Sequence, residues 1–177
     1  MNADAFRHFF DYHFNENRNL WDRYITALTH EQFTQSMGYS HGSVRDQIVH
    51  LMSVDDTWFS GLRGVENPQP FNSAAVDDRK IIRVHWDAVE QNMRDYLANL
   101  RNDMLIEKPF ADGEDKDLIL WQVLLHVVNH GTDHRAQLLR FLHDQGVRQR
   151  LKISSSMFTT TCRYFFLCNG LRKKRLA

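Results

Sequence analysis

Histidines are the residues of this sequence whose type and spacing could support chemistry. His126, His130 and His134 follow one another at intervals of four residues. On an α-helix such residues lie one turn apart on nearly the same face, so two neighbouring imidazoles can reach a shared metal ion. Imidazole is the commonest protein ligand of transition metals and is largely neutral near pH 7. The spacing therefore indicates a candidate metal site.

All three of these histidines cannot serve one ion. The rise from His126 to His134 is about 12 Å at about 1.5 Å per residue, which is too far for two imidazoles with metal–nitrogen bonds of about 2.1 Å. One neighbouring pair would supply two ligands, and a third ligand would come from another helix. The alternative is that the histidines are ordinary hydrogen-bonded residues of a helical core. The candidates for the third ligand are His13, His50 and His85.

Other motifs that would define the chemistry more closely are absent from the sequence. There is no His-Glu-x-x-His, which excludes a zinc protease of that type, and no Glu-x-x-His, which argues against a di-iron bundle. A mononuclear site remains. The two cysteines, Cys162 and Cys168, match neither a redox spacing nor a zinc spacing. No nucleophile or convincing catalytic base lies near the histidines, so no catalytic residue is assigned.

The elements that would position the histidines are helices. Apolar residues recur at intervals of three and four in four segments, which predicts helices at about residues 4–28, 43–62, 79–101 and 117–145. Ser43 and Asp46 resemble a capping box at the start of the second helix, and Gly146 is typical of the residue just beyond a helix end. Residues 64–78 contain Pro68 and Pro70 and predict a long crossover.

These elements predict an all-α fold, a four-helix bundle with a long crossover between helices two and three. Residues 1–147 would form this bundle as one domain, and residues 148–177 a basic C-terminal tail that is atypical or poorly ordered. One tryptophan falls in each predicted helix, and all four are expected in the core. They are Trp21, Trp58, Trp86 and Trp121.

Composition and charge limit the partners. The 177 residues are 42% hydrophobic and 25% charged, as in one ordinary globular domain. The net charge of zero combines an acidic body, with 14 basic and 22 acidic residues in 1–147, and a tail with 8 basic and no acidic residues. The acidic body argues against nucleic acid as a partner. No apolar run approaches the roughly 20 residues of a membrane span, and the N-terminus is polar, so we expect a cytoplasmic protein without membrane association.

Two stretches of the sequence resemble the DinB/YfiT-like family, which comprises DNA-damage-inducible, metal-binding four-helix bundles. The family's last helix carries a Trp, a His, an Asn-His pair and a His-Arg-x-Gln motif. Here these are Trp121, His126, Asn129-His130 and His134-Arg135-x-Gln137. The stretch from Gly42 to Leu51, with Val54, Asp55 and Trp58 after it, resembles the family's second helix and its single histidine, His50. The likeness covers about residues 6–146.

The resemblance implies a divalent metal held by His50, His130 and His134, with its remaining positions open to solvent or substrate. His126 would then lie beside the site or in the core. Asp133 stands where many members of the family have a histidine, which would alter the charge near the site, and it would orient a ligand or face outward. The basic tail does not resemble the short apolar segment that usually closes the family's fold.

The resemblance also implies a function. The family's metal sites are associated with transferases and isomerases that use small thiols. We therefore expect a metal-dependent enzyme, a small-thiol-dependent S-transferase or a hydrolase, with a small-molecule substrate and a low-molecular-weight thiol as co-substrate. Zinc or nickel is the expected metal, and iron or copper would also suit imidazole ligands. A homodimer is expected for the family. The alternative is a non-catalytic, metal-stabilised bundle or a stress-induced binding module.

Overall fold

The structure, a computed structural model, describes residues 1–65, 71 and 78–148. Within these ranges it has five α-helices and no strand, which confirms the all-α fold class. The helices are α1 (Ala3–Arg23), α2 (His30–Thr34), α3 (Val44–Leu62), α4 (Arg79–Ala98) and α5 (Leu120–Asp144), with 3₁₀ turns at Ile25–Ala27 and Met104–Ile106. The predicted crossover and the predicted basic tail fall largely outside the described residues. None of the described helices is long and apolar enough to cross a membrane.

The four long helices form the bundle. Around the bundle they follow one another in the ring order α1, α5, α3 and α4. Aromatic rings fill the space between them: Phe59 of α3 meets Phe10 of α1 edge-on at 5.4 Å between ring centroids. Burying a side chain of this size stabilises the fold by about 1.5–3 kcal/mol. This core fixes α3 beside α5, the two helices that carry the predicted ligands.

The tryptophans divide into two pairs. Trp21 and Trp86 are buried and meet edge-on at 5.9 Å, joining α1 to α4, as expected of core residues. Trp58 and Trp121 are only half-buried. The prediction that all four lie in the core is therefore right for two of them, because α3 and α5 turn their tryptophans toward the edge of the bundle.

Several helix ends differ from the prediction. The first helix ends at Arg23 instead of residue 28, and the chain continues as a 3₁₀ turn that still buries Ile25. Helix α2 was not predicted. The last helix begins at Leu120 instead of residue 117, and helix α4 ends at Ala98 instead of residue 101.

The start of α3 is capped as predicted. The hydroxyl oxygen of Ser43 accepts from the backbone N–H of Asp46 at 3.0 Å, and the hydroxyl donates to the Asp46 carboxylate at 2.6 Å. At the same end of the bundle, Gly146 comes after α5 with a φ of 75°, a conformation that favours glycine. The cap at Ser43 sets where α3 begins and therefore the position of His50 two turns later.

Candidate metal site

Helices α3 and α5 bring together the three residues predicted as metal ligands. The Nε2 atoms of His50 and His130 lie 3.2 Å apart. The ring of His134 lies 4.7 Å from that of His50 and 4.1 Å from that of His130, measured between centroids. The predicted set is thus assembled at one place between the helices. That these three bind a metal stays a prediction.

A fourth histidine, His41, joins the cluster from the loop before α3. Its ring stacks on His50 with 3.6 Å between centroids and 20° between planes, and lies 5.5 Å from that of His134. One possible ligand atom from each of His41, His50 and His134 lies within 4.8 Å of the other two, so this group contains His41 and not the predicted ligand His130. We call His41, His50, His130 and His134 the histidine cluster. His41 could not be identified from the sequence pattern, because a loop residue has no helical spacing.

The loop that carries His41 is held on both sides of this residue. Ser40 has a φ of 49°, in the left-handed region, and its hydroxyl lies 2.8 Å from Gln47 Oε1 and 2.6 Å from Gln137 Oε1. On the other side, the carbonyl of Gly42 accepts from the backbone N–H of Met37 at 2.6 Å. These contacts fix the backbone of the loop over the ends of α3 and α5.

The orientation of His134 is set by two glutamines. Its Nδ1 atom lies 3.0 Å from Gln137 Oε1 and is also contacted by the side-chain amide of Gln47. Gln137 in turn donates from Nε2 to Asp133 at 3.1 Å. When Nδ1 donates to Gln137, Nε2 keeps its lone pair, which is the arrangement typical of a metal-ligating histidine and its supporting acceptor. Asp133 is exposed and contacts His134 only through Gln137; that it orients a metal ligand stays a prediction.

The environment keeps two members of the cluster, His50 and His130, uncharged. Burial, reinforced by His41 and His134, lowers the pKa of His50 to about 4. Burial together with His134 and His50 lowers the pKa of His130 to about 3. Both imidazoles are therefore neutral at pH 7, and each has one nitrogen lone pair available.

The donor set fits a divalent ion. Two nitrogens bound to one tetrahedral ion at about 2.05 Å are about 3.3 Å apart, close to the 3.2 Å between His50 and His130. All four members are imidazoles, which suit zinc, nickel, copper and iron. One departure is that Nδ1 of His130 is buried and has no hydrogen-bond partner among the described residues, whereas the second nitrogen of a ligating histidine is usually paired.

The other candidate histidines lie outside the cluster. His126 is exposed and packs edge-on against Trp58 at 5.3 Å, with its ring 6.0 Å from that of His130. It lies beside the site, and the alternative that it belongs to the core is wrong. His85 lies against Phe71 at 4.8 Å.

His13 belongs to a separate buried network under the cluster. Its Nε2 donates to the carboxylate of Asp55 at 3.0 Å, and its Nδ1 accepts from the guanidinium of Arg135 at 3.1 Å. Arg135 also donates to Asn17 at 2.9 Å and to Thr132 at 3.0 Å. His13 therefore stands between the guanidinium of Arg135 and the buried carboxylate of Asp55.

We expect the metal-free protein to lose stability as the pH falls from 7 to 5. The unfolded chain takes up a proton on each histidine near pH 6.5, whereas folded His50 and His130 stay neutral down to about pH 4 and pH 3. The stabilisation is therefore fully present above pH 6.5 and declines below it. Since both rings are partly exposed, solvent screening reduces the loss to about 1 kcal/mol for each histidine.

Urea denaturation of chelator-treated protein at pH 7, 6 and 5 measures this loss. The double variant His50→Gln/His130→Gln serves as the control, because it lacks both imidazoles. We expect a shallower pH dependence for the double variant than for the wild type. Parallel pH profiles of the two proteins would contradict the assignment.

A helical bundle whose neighbouring helices bring several imidazoles to one point defines a class of candidate metal-binding bundles. Comparison with known families agrees with this class: the chain matches the DinB family model over residues 1–151. Since this match spans most of the chain, the protein belongs to the DinB family, as the resemblance of its second and fourth predicted helices indicated. No curated protein matches the sequence.

Proposed function

We propose that the protein binds one divalent metal ion through His50, His130 and His134. The observation that carries this proposal is the convergence of neutral imidazoles from α3 and α5, with the Nε2 atoms of His50 and His130 at 3.2 Å. The orientation of His134 by Gln137 supports it. Zinc or nickel is the proposed ion, since imidazole nitrogen suits both, and the same donors would also accept iron or copper.

Elemental analysis of untagged protein, beside single alanine variants, tests the ligand set. We expect about one metal per chain in the wild type and a loss of affinity of more than about 100-fold on replacing His50, His130 or His134, since even a supporting residue of a metal site contributes 10–100-fold. His126→Ala is the matched control, because it removes an exposed imidazole one turn from His130. A metal-free wild type, or loss of metal in the control alone, would refute the assignment.

We further propose that the metal site makes the protein a small-thiol-dependent S-transferase or a hydrolase. A bound divalent ion supplies a Lewis acid that stabilises a thiolate or activates water. The chain's own residues would hold that ion at the open end between α3 and α5, where His41 is exposed and small molecules can approach. The proposed substrate is a small molecule, and a low-molecular-weight thiol is the proposed co-substrate. The proposed form of the protein is a homodimer in the cytoplasm.

Transfer to 1-chloro-2,4-dinitrobenzene tests the transferase activity. In this reaction the thiol sulfur forms a bond to the ring carbon, chloride leaves, and the thiol proton passes to solvent. We expect thioether formation from N-acetylcysteine with metal-loaded wild type, and the background rate with metal-free protein or metal-depleted His50→Ala. Background rates throughout would refute S-transfer to this substrate.

The alternative is a non-catalytic, metal-stabilised bundle or a stress-induced binding module. The position of His41 favours it, because a fourth protein ligand would leave no place for a substrate. This alternative predicts that the metal raises the midpoint of thermal unfolding, since a ligand of the folded state alone stabilises that state. It also predicts that no added thiol reaches the metal.

A further inference from the structure

We propose that His41 is an exchangeable fourth ligand of the metal. Its imidazole occupies the remaining coordination position when no substrate donor is present and leaves that position when a small thiolate enters. This inference rests on the proposed function and deepens it, because it assigns a residue to the control of access to the same site. It also accounts for both proposed functions, the enzyme and the metal-stabilised bundle. The metal would have four protein ligands at rest and an open position when a substrate binds.

His41 is within reach of the position that it would fill. One of its nitrogens belongs to the group of His41, His50 and His134 ligand atoms that lie within 4.8 Å of one another. It is the one exposed member of the histidine cluster, whereas His134 is only 9% exposed. His41 therefore lies on the solvent side of the site, where an incoming small molecule would meet it first.

In its observed orientation His41 would not coordinate an ion held by His50. A nitrogen lone pair lies in the plane of its ring, and the rings of His41 and His50 are nearly parallel at 3.6 Å between centroids. An ion in the plane of the His50 ring would be far out of the plane of the His41 ring. Coordination by His41 therefore requires its ring to rotate away from the stack. The stacked and coordinating orientations are the two positions that exchange requires.

The backbone around His41 confines this motion to the side chain. Ser40 contacts Gln47 and Gln137, and the carbonyl of Gly42 accepts a hydrogen bond from the backbone N–H of Met37. The ring of Tyr39 also packs edge-on against buried Phe141 at 5.6 Å. With its neighbours fixed, His41 stays close to the site in either orientation. A tethered imidazole of this kind competes with free ligands at a high effective concentration, on the order of millimolar.

Loading the full chain with Co²⁺ and titrating with 2-mercaptoethanol tests the proposal. The visible absorption of Co²⁺ reports its coordination, and a thiolate bound to it adds a charge-transfer band. The variants are His41→Ala and His41→Phe, of which the second keeps an aromatic ring to stack on His50 but has no nitrogen donor. His143→Ala is the matched control, since His143 is an exposed histidine in the last turn of α5, outside the histidine cluster.

We expect both His41 variants to retain Co²⁺, to show an altered Co²⁺ spectrum before thiol is added, and to bind 2-mercaptoethanol about tenfold more tightly than the wild type. The His143 variant should match the wild type. Unchanged spectra and thiol affinity in both His41 variants would overturn the proposal, and loss of Co²⁺ from them would overturn it by making His41 an obligatory ligand. A wild type that binds no Co²⁺ would instead refute the proposed function itself.

Discussion

Replacing Gly131 by alanine is expected to destabilise the protein by about 3 kcal/mol, although alanine favours a helix by about 1 kcal/mol over glycine. A Cβ atom at this position of α5 would lie 2.3 Å from Cε1 and 2.5 Å from Nδ1 of His13. The His13 ring cannot move aside, because it is fully buried and bonded to Asp55 and Arg135. The variant would have to break these bonds or separate α1 from α5. Urea denaturation monitored by circular dichroism measures the loss.

Two further variants show whether the clash with His13 is the cause. Gly61→Ala is the matched control, since Gly61 also lies within a helix and its added Cβ would meet only Phe110, at 3.1 Å. We expect it to change the free energy of unfolding by less than about 1 kcal/mol. In a His13→Ala background the Gly131→Ala change should become neutral or stabilising, because the ring is gone. An equal loss in both backgrounds would contradict this explanation.

Replacing Asp55 by alanine is expected to destabilise the protein by about 3–5 kcal/mol, as is usual when one partner of a buried charged group is removed. Asp55 is 1% exposed, and its carboxylate accepts from His13. His13 in turn accepts from Arg135, which is 6% exposed. Without the carboxylate, the guanidinium keeps its charge in a buried place and the His13 N–H has no acceptor.

The neighbouring residue provides the control for Asp55. Asp56→Ala removes a half-buried carboxylate that accepts from Ser60 at 3.3 Å, and should change the stability by less than about 1 kcal/mol. Asp55→Asn keeps an acceptor for His13 but removes the charge, so its loss should be intermediate. A loss for Asp55→Ala no larger than that for Asp56→Ala would show that Arg135 does not depend on this carboxylate.

Features that depend on local spacing were predictable from the sequence. The apolar period located all four long helices, and the predicted bounds differ from the observed ones by five residues or fewer. The interval of four between His130 and His134 placed both on one face of α5. His50 required more than spacing, since His13 and His85 were equal candidates, and only the family motif chose it. The structure brings His50 to the other two and leaves His13 and His85 elsewhere.

Features that depend on short elements and on contacts between helices could not be predicted from the sequence. Helix α2 has five residues, too few for an apolar period, although Thr29 and Gln32 form the capping box that marks its start. His41 reaches the cluster through a loop whose path is set by a left-handed Ser40 and distant glutamines. The network of His13, Asp55 and Arg135 joins three helices, so it depends on their relative axial positions.

The cluster ties together parts of the chain that are far apart in sequence. His50 and His130 are separated by 80 residues, so an ion held by both closes a long loop, much as a covalent cross-link does. The unfolded chain would have to meet the entropy of closing that loop before both ligands could bind. A resident ion would then oppose the separation of α3 from α5, as a cross-link between the two helices would.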